Sequence, residues 1–395
     1  MLVRRFKDEL TKRERVELTL AFKETDRVVN FDLMHNPGTI EFYAQEKLTR
    51  ENAPHVVGRA IQNSLDLVRN VIYPDIPRTE VRDDGFVIRY EEWTAWIEKR
   101  PFETIKEAKE WIKRNIEEVK DWHPGEQWTF FGKTTAARTE TDEKYSYREN
   151  FLERQKLIGD TVLYHDESPV GLDTAMDICG IELFIYLYHD DSQLISEWLE
   201  ALNEHEIKRV HDVADYKLSP VAMPYADLAY KTGLIFSPIF LRKEFFPRLK
   251  RLVDAWHLHG IKCVFHSDGN FMEVLDDFVA AGVDGVNPIE PLAGWDLIDV
   301  RNDYPKLVLQ GNIDCSQLLP FGSEREVKEA AKKAIDDIYP SGGLLLGSSS
   351  ELTPAVNPRN VVTMIEFSRQ YSRRKPFVSC PIDEIELELE YVPFS

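Results

Sequence analysis

Four strand-then-helix units follow one another between residues 261 and 351, and they constrain the fold more than any other part of the chain. Their strand texts are IKCVFH (261–266), VDGVNP (283–288), KLVLQG (306–311) and GLLLG (343–347). Each is a short apolar run, the pattern of a parallel strand covered on both faces. Each ends in a polar cluster: His266-Ser267-Asp268-Gly269-Asn270, then Asn287 and Glu290, then Gln310, Asn312 and Asp314, then Ser348 to Glu351. Parallel strands alternating with helices imply βαβ units. In a barrel of such units, chemistry gathers at the C-terminal ends of the strands. The polar clusters therefore read as one candidate site.

Further apolar runs stand at 27–32 (RVVNFD), 127–132 (QWTFFG), 161–164 and 218–223, which brings the strand count to eight. The expected fold is α/β, a single (β/α)8 TIM barrel over residues 1–375. Residues 81–99 depart from it. They are β-rich around an Asp83-Asp84-Gly85 turn, and read as an antiparallel excursion over the barrel mouth. Helical text covers 6–23, 54–71, 102–119, 172–187, 197–213 and the stretch ending at Tyr371. Ser323 and Glu326 form a capping box, and Asn270 is placed to cap the helix after the His266 loop. Residues 376–395 form a separate β-like tail, alternating apolar and acidic side chains most clearly at its end. It either tucks onto its own subunit or pairs with the edge of a second one.

Composition excludes some partners. A formal charge of −20 without any basic run argues against nucleic acid and anionic membranes. The four cysteines lie far apart with no CxxC, as expected of reduced thiols in a cytoplasmic protein. The N-terminus has no apolar h-region, and no run reaches transmembrane length.

His266 and Asp268 are the most specific local signal. One residue apart on an extended segment, their side chains point to the same side. At a strand's catalytic end the pair can share a divalent metal, act as a general base and its orienter, or simply hydrogen-bond to hold the loop. Glu290 stands between Pro288 and Pro291, which stiffen its loop for metal ligation, proton transfer or an N-cap. Ser348 to Ser350 can present hydroxyls and N–H groups to an anionic ligand group, or form a polar turn. Asp32, His35 and Asp227 add polar groups from other strand ends. The candidate catalytic set is His266, Asp268, Glu290, Asp32 and Asp227. No phosphate loop and no GxSxG elbow occurs.

Several stretches together resemble the uroporphyrinogen decarboxylase superfamily. They are ESP at 167–169, DLAYKTGLIFSPIFLRKEFFP at 227–247, HSDGN, GVDGVNPIEP, LQGNID and GSSSELTPAVNPRNV, in the family's order. The likeness is strongest over 167–371 and implies a (β/α)8 barrel, often dimeric, with its site at the strand C-termini. The tetrapyrrole decarboxylases of the family use an arginine pair after the first strand, where this chain has LMHNPGT. They also use a tyrosine where Ala175 stands. The corrinoid-dependent methyltransferases bind zinc through a His-x-Cys pair and a later Cys. Here His266 matches the histidine, Asp268 replaces the first cysteine, and Ser350 or Glu351 the second. The metal set this implies is His266, Asp268 and Glu351, an oxygen-rich set for zinc or another divalent ion. The resemblance implies a metal-dependent, corrinoid-linked methyltransferase-like enzyme acting on a small molecule. It would be a cytoplasmic homodimer with a corrinoid protein as partner. Tetrapyrrole decarboxylation, a lyase reaction, is the alternative, and a non-catalytic small-molecule-binding barrel the second alternative.

Overall fold

The structure is a computed structural model that describes residues 8–123 and 147–373. Its centre is a curled, wholly parallel sheet of nine strands in the order β6-β2-β1-β14-β13-β12-β11-β8-β7. Taken along the chain these are β1 (Val29–Asp32), β2 (Leu67–Val68), β6 (Val162–Leu163), β7 (Glu167–Pro169) and β8 (Val221–Tyr225). Then follow β11 (Lys262–His266), β12 (Gly285–Asn287), β13 (Val308–Ile313) and β14 (Leu344–Ser348). The two end strands, β6 and β7, belong to one extended stretch. Between them, Tyr164 N–H donates to Val68 O at 3.0 Å and His165 N–H to Val221 O at 2.7 Å. That stretch therefore bonds to strands at both ends of the order.

Side chains alternate across this sheet, as the pleat requires. Val29, Phe31, Leu67, Val162, Tyr164, Val221, Met223, Val264, Val308 and Leu345 share one buried inner cluster. Val68, Leu163, Ala222, Phe265, Val286, Leu309 and Leu346 belong to the outer core under the helices. The alternation carries on upward, so Arg69, His266, Asn287 and Gln310 take inner positions above the apolar cluster. Gly347 keeps β14 tight against β1, because a Cβ there would meet Phe31 O at 2.1 Å.

The lower end is plugged by the helix Lys12–Leu20, whose Val16 and Leu20 join the inner cluster. An ion network locks it there. Asp66, fully buried just before β2, accepts from Arg15 Nη1 at 2.9 Å and from Arg27 Nη1 and Nη2 at 2.6 and 2.7 Å. It also takes the Asn30 N–H of β1 at 2.9 Å. Burial by itself would raise its pKa, but Arg27 and then Arg15 outweigh that and hold the carboxyl well below its usual range.

This network explains a departure from the sequence reading. Residues 54–71 read as continuous helix, but the helix Ala53–Ser64 stops, Leu65 turns extended at φ −118, and β2 begins at Leu67. The arginine pair draws Asp66 inward, and that competes with a further helical turn. The expected strand at 127–132 lies outside the described residues, and β2 pairs with β1 on that side. The apolar text of 172–187 is two helices, Leu172–Cys179 and Ile181–Asp190, parted at Gly180 with φ 75.

Most other expectations are met more simply. Residues 78–99 form a separate antiparallel sheet of β3 (Arg78–Val81), β4 (Val87–Tyr90) and β5 (Ala95–Lys99). Its Trp93 packs on His35 beyond β1, with ring centroids 5.4 Å apart. The hairpin of β9 (Ala229–Tyr230) and β10 (Gly233–Leu234) follows β8. Ser323 and Glu326 make the capping box, whereas Asn270 is not the cap expected of it: Phe271 holds the N-cap of the 3-10 turn, and Asn270 Oδ1 only accepts Met272 N–H from outside it at 3.2 Å. Cys179 and Cys263 are buried free thiols, and Cys315 is half-buried and free. Cys380 and the tail at 376–395 lie outside the described residues. No described helix is long and apolar enough to cross a membrane.

Removing one side of a buried ion network leaves uncompensated charge, at a cost of about 3–5 kcal/mol. Asp66→Ala should lower the unfolding free energy by about that amount in urea titration. Stability within about 1 kcal/mol of the wild type would show that the network does not anchor the sheet.

Candidate functional site

The site rises from the inner positions at the upper strand ends. At the end of β11, His266 is buried, with Nδ1 2.7 Å from Asn287 Oδ1 on the neighbouring strand. Its Nε2 lies 3.5 Å from Arg69 Nη1, beyond β2. A guanidinium can only donate, so Nε2 turns its lone pair to Arg69 and Nδ1 carries the proton given to Asn287. The same Nε2 is 3.9 Å from Asp268 Oδ1 and 4.0 Å from Asp227 Oδ1. Asp227, His266 and Asp268 each offer one ligand atom, all within 4.8 Å of one another. Asp268 lies two residues past the end of β11, and Asp227 comes from the loop after β8, which pairs with β11.

The remaining expected residues surround this triad at different depths. Glu290 accepts Gly269 N–H at 2.6 Å, and burial, with Asp268 adding, raises its pKa. Glu351 lies 3.5 Å from His35 Nδ1 and outside the triad. Burial raises its pKa, Arg69 opposes this, and Asp268 reinforces it. Ser350 Oγ is 3.5 Å from Asp268 Oδ1. Asp32 sits lower, wholly buried, where its carboxylate accepts Ser348 Oγ–H at 2.6 Å and Ser348 N–H at 3.0 Å and so ties β1 to β14. Burial pushes its pKa up to about 7 against those hydrogen bonds, with Glu351 adding to the rise. The structure thus unites His266, Asp268 and Asp227, keeps Glu290 and Glu351 within electrostatic reach of Asp268, and gives Asp32 an interior strand-to-strand contact.

Three residues carry weight that the sequence reading did not assign. Arg69 donates through Nη2 and Nε to Glu167 Oε2 at 2.8 and 3.0 Å. Burial opposes its charge, but Glu167, Glu351 and Asp268 more than compensate and raise its pKa. Asp173, in the helix after β7, is buried and accepts Asp227 N–H at 3.2 Å. Burial, then Asp177 and Asp227, push its pKa well up. Tyr225 at the end of β8 has its phenol pKa raised by burial and next by Asp173. Arg69 was hidden in text that reads as helix. The signal for Asp173 is a carboxylate inside an apolar run with Asp177 one turn on, an arrangement that belongs to a lined mouth rather than a core.

His35 is buried against Trp93, and burial followed by the Arg69 charge lowers its pKa to about 4. It is neutral at pH 7. The site thus holds one buried guanidinium among carboxylates, an arrangement that favours a cation over an anion.

The raised pKa of Asp32 has a consequence for stability. Its folded value near 7 lies above the ordinary carboxyl value of 3.8. The folded state therefore binds this proton more tightly, and the contribution is fully present below the unfolded pKa and lost as pH rises through about 7. Wild-type melting temperature should fall more steeply between about pH 4 and 7 than that of Asp32→Asn, read by calorimetry. Parallel curves would show that Asp32 does not titrate there.

Comparisons with known proteins bear on the family and the fold. The family described as "Uroporphyrinogen decarboxylase (URO-D)" matches residues 171–371. A solved methyltransferase from Methanosarcina mazei has a similar structure, with TM-score 0.62 at 15% identity, covering 92% of this chain and 99% of that one. At that identity the likeness is one of fold. A sugar phosphate isomerase/epimerase from Parabacteroides distasonis aligns with TM-score 0.29 at 12% identity, covering 58% of this chain and 77% of that one. No curated protein matches by sequence.

Proposed function

This chain belongs to the uroporphyrinogen decarboxylase family, and from that membership we propose a metal-dependent, methyltransferase-like enzyme that acts on a small molecule. We read its sheet as a closed eight-stranded TIM barrel, a reading supported by β6 and β7, halves of one stretch, bonding to β2 on one side and to β8 on the other. The Asp227–His266–Asp268 triad carries the metal reading. The donor set fits: the Nε2 of one imidazole and two carboxylate oxygens, which suit zinc or a similar divalent ion. Asn287 fixes the tautomer and ring orientation that ligation needs. Glu351 would serve as a neighbouring carboxylate rather than as a ligand.

Bound there, a divalent ion would supply a Lewis acid. The chain's own groups do the rest. Arg69 offsets the surrounding negative charge and holds Glu167 in place. Glu290 and Glu351, whose pKa values burial raises, can hold or pass a proton. The methyl carrier would be a corrinoid on a partner protein, and the chain would work as a homodimer.

Tetrapyrrole decarboxylation fits less well. A substrate with many carboxylates needs several unspent cations. Arg69 is already paired with Glu167 and stands among acids. Purified protein should convert no measurable uroporphyrinogen to coproporphyrinogen, and steady conversion would restore the lyase reading.

The metal itself is tested by elemental analysis after dialysis against zinc or cobalt(II). Wild type should retain the ion near equimolar amounts. His266→Ala should lose it, with an unchanged far-ultraviolet dichroism spectrum. Retention by the variant, or none by the wild type, would sink the proposal.

A further inference from the structure

Beneath the triad lie two carboxamides with unspent donors. Asn287 ends β12 and Gln310 stands midway along β13, both at inner positions of strands in register through Val286 and Leu309. Ile289 N–H, just past Asn287, reaches Gln310 O at 3.1 Å, so the two side chains are neighbours. Exposure is 1% for Asn287 and 0% for Gln310. Each spends its oxygen on a neighbour: Asn287 Oδ1 on His266 Nδ1, and Gln310 Oε1 on the Tyr164 hydroxyl. Asn287 Nδ2 and Gln310 Nε2 have no hydrogen-bond partner among the described residues.

The amide orientation at Asn287 has a physical cause. Arg69 offers only donors to His266 Nε2, so Nδ1 bears the proton and Asn287 must present its oxygen there. Its NH2 group is then the end left over. A buried donor without an acceptor costs about 1–3 kcal/mol. Two such donors at neighbouring inner positions mark a place for an acceptor oxygen. Above them the rim is acidic, with Asp227, Asp268, Glu290 and Glu351 about the buried Arg69.

We propose that this lumen takes a small zwitterion, its carboxylate on the amide donors of Asn287 and Gln310 and its cationic nitrogen facing Glu351 and Glu290, the rim carboxylates that the metal reading leaves unligated. The proposal names the substrate class of the site read above as methyl-transferring, and rests on that reading. An anion without a positive end would be repelled at the rim. A cation without an oxygen would leave both amides unsatisfied. The His266 imidazole spans from the Asn287 oxygen to the rim acids. A carboxylate and an ammonium one or two carbons apart match that span. A methylated nitrogen would then lie beside the Asp227–His266–Asp268 triad.

Three probes of similar size separate the terms. Trimethylglycine carries both charges, 3,3-dimethylbutanoate keeps the shape and carboxylate but not the positive charge, and choline keeps only the cation. In calorimetric titration of the full, zinc-loaded chain, trimethylglycine should bind at least tenfold tighter than either of the others. Gln310→Met should weaken trimethylglycine about tenfold and leave choline unchanged, and Gln310→Glu should weaken it further. Equal binding of 3,3-dimethylbutanoate would remove the role of the rim, and equal binding of choline that of the amides. Binding of none of the three would overturn the proposal. If the variants fail to fold, the wild-type comparison still decides it. Cobalt(II) titration, followed by visible absorption, keeps the two readings apart. Cobalt binding without zwitterion binding ends this inference alone, and zwitterion binding without cobalt binding ends the metal reading alone.

Discussion

The upper half of this molecule depends on a carboxylate at its lower end. Asp66 receives two guanidinium groups and a strand amide at full burial, where neither sign of charge could stand alone. By doing so it joins the plugging helix to β1 and ends the preceding helix at the point where β2 must begin. Three residues later the chain delivers Arg69 to the inner layer. The cation that tempers the mouth is therefore positioned by a network at the opposite end of a very short strand.

At the mouth the problem is reversed. Below, two arginines converge on the buried Asp66, with Asp8 and Asp26 on their outer side; above, carboxylates surround Arg69. Burial disfavours their charged forms, which is why Asp173, Asp177, Glu290 and Glu351 all have raised pKa values. Such a rim is completed by added positive charge or by protons. The ligand atoms of Asp227, His266 and Asp268 lie within 4.8 Å of one another there, and the amide nitrogens of Asn287 and Gln310 have no hydrogen-bond partner among the described residues. The family match and the methyltransferase-like fold set the frame within which these features are read.

Much of this was legible in the residues. The apolar runs ending in HSDGN, GVNPIEP, LQGNID and GSSSE place β11 to β14 and their polar ends, because a strand buried on both faces leaves an unbroken apolar signature. His266 and Asp268 stand together as their spacing requires. The excursion at 78–99 is where its turn residues and β-rich text put it. Local chemistry wrote these features, so local text was enough to find them.

What the sequence could not decide was which distant groups meet. The two residues of β2 are too few to show a period, and only the pull of Arg15 and Arg27 on Asp66 turns that text from helix to strand. The third member of the triad is Asp227 rather than Glu351, because β8 pairs directly with β11 and brings its loop to His266. Arg69 faces His266 across nearly two hundred residues of chain, a contact set by the curl of the sheet and by no local pattern. The sequence by itself determined the strands, their polar ends and the acidic character of the mouth, since these follow from side-chain type and spacing along the chain. Tertiary structure alone decided the tautomer of His266, the partner of each carboxylate and the unspent donors of Asn287 and Gln310, since each depends on through-space distances that the linear text does not contain.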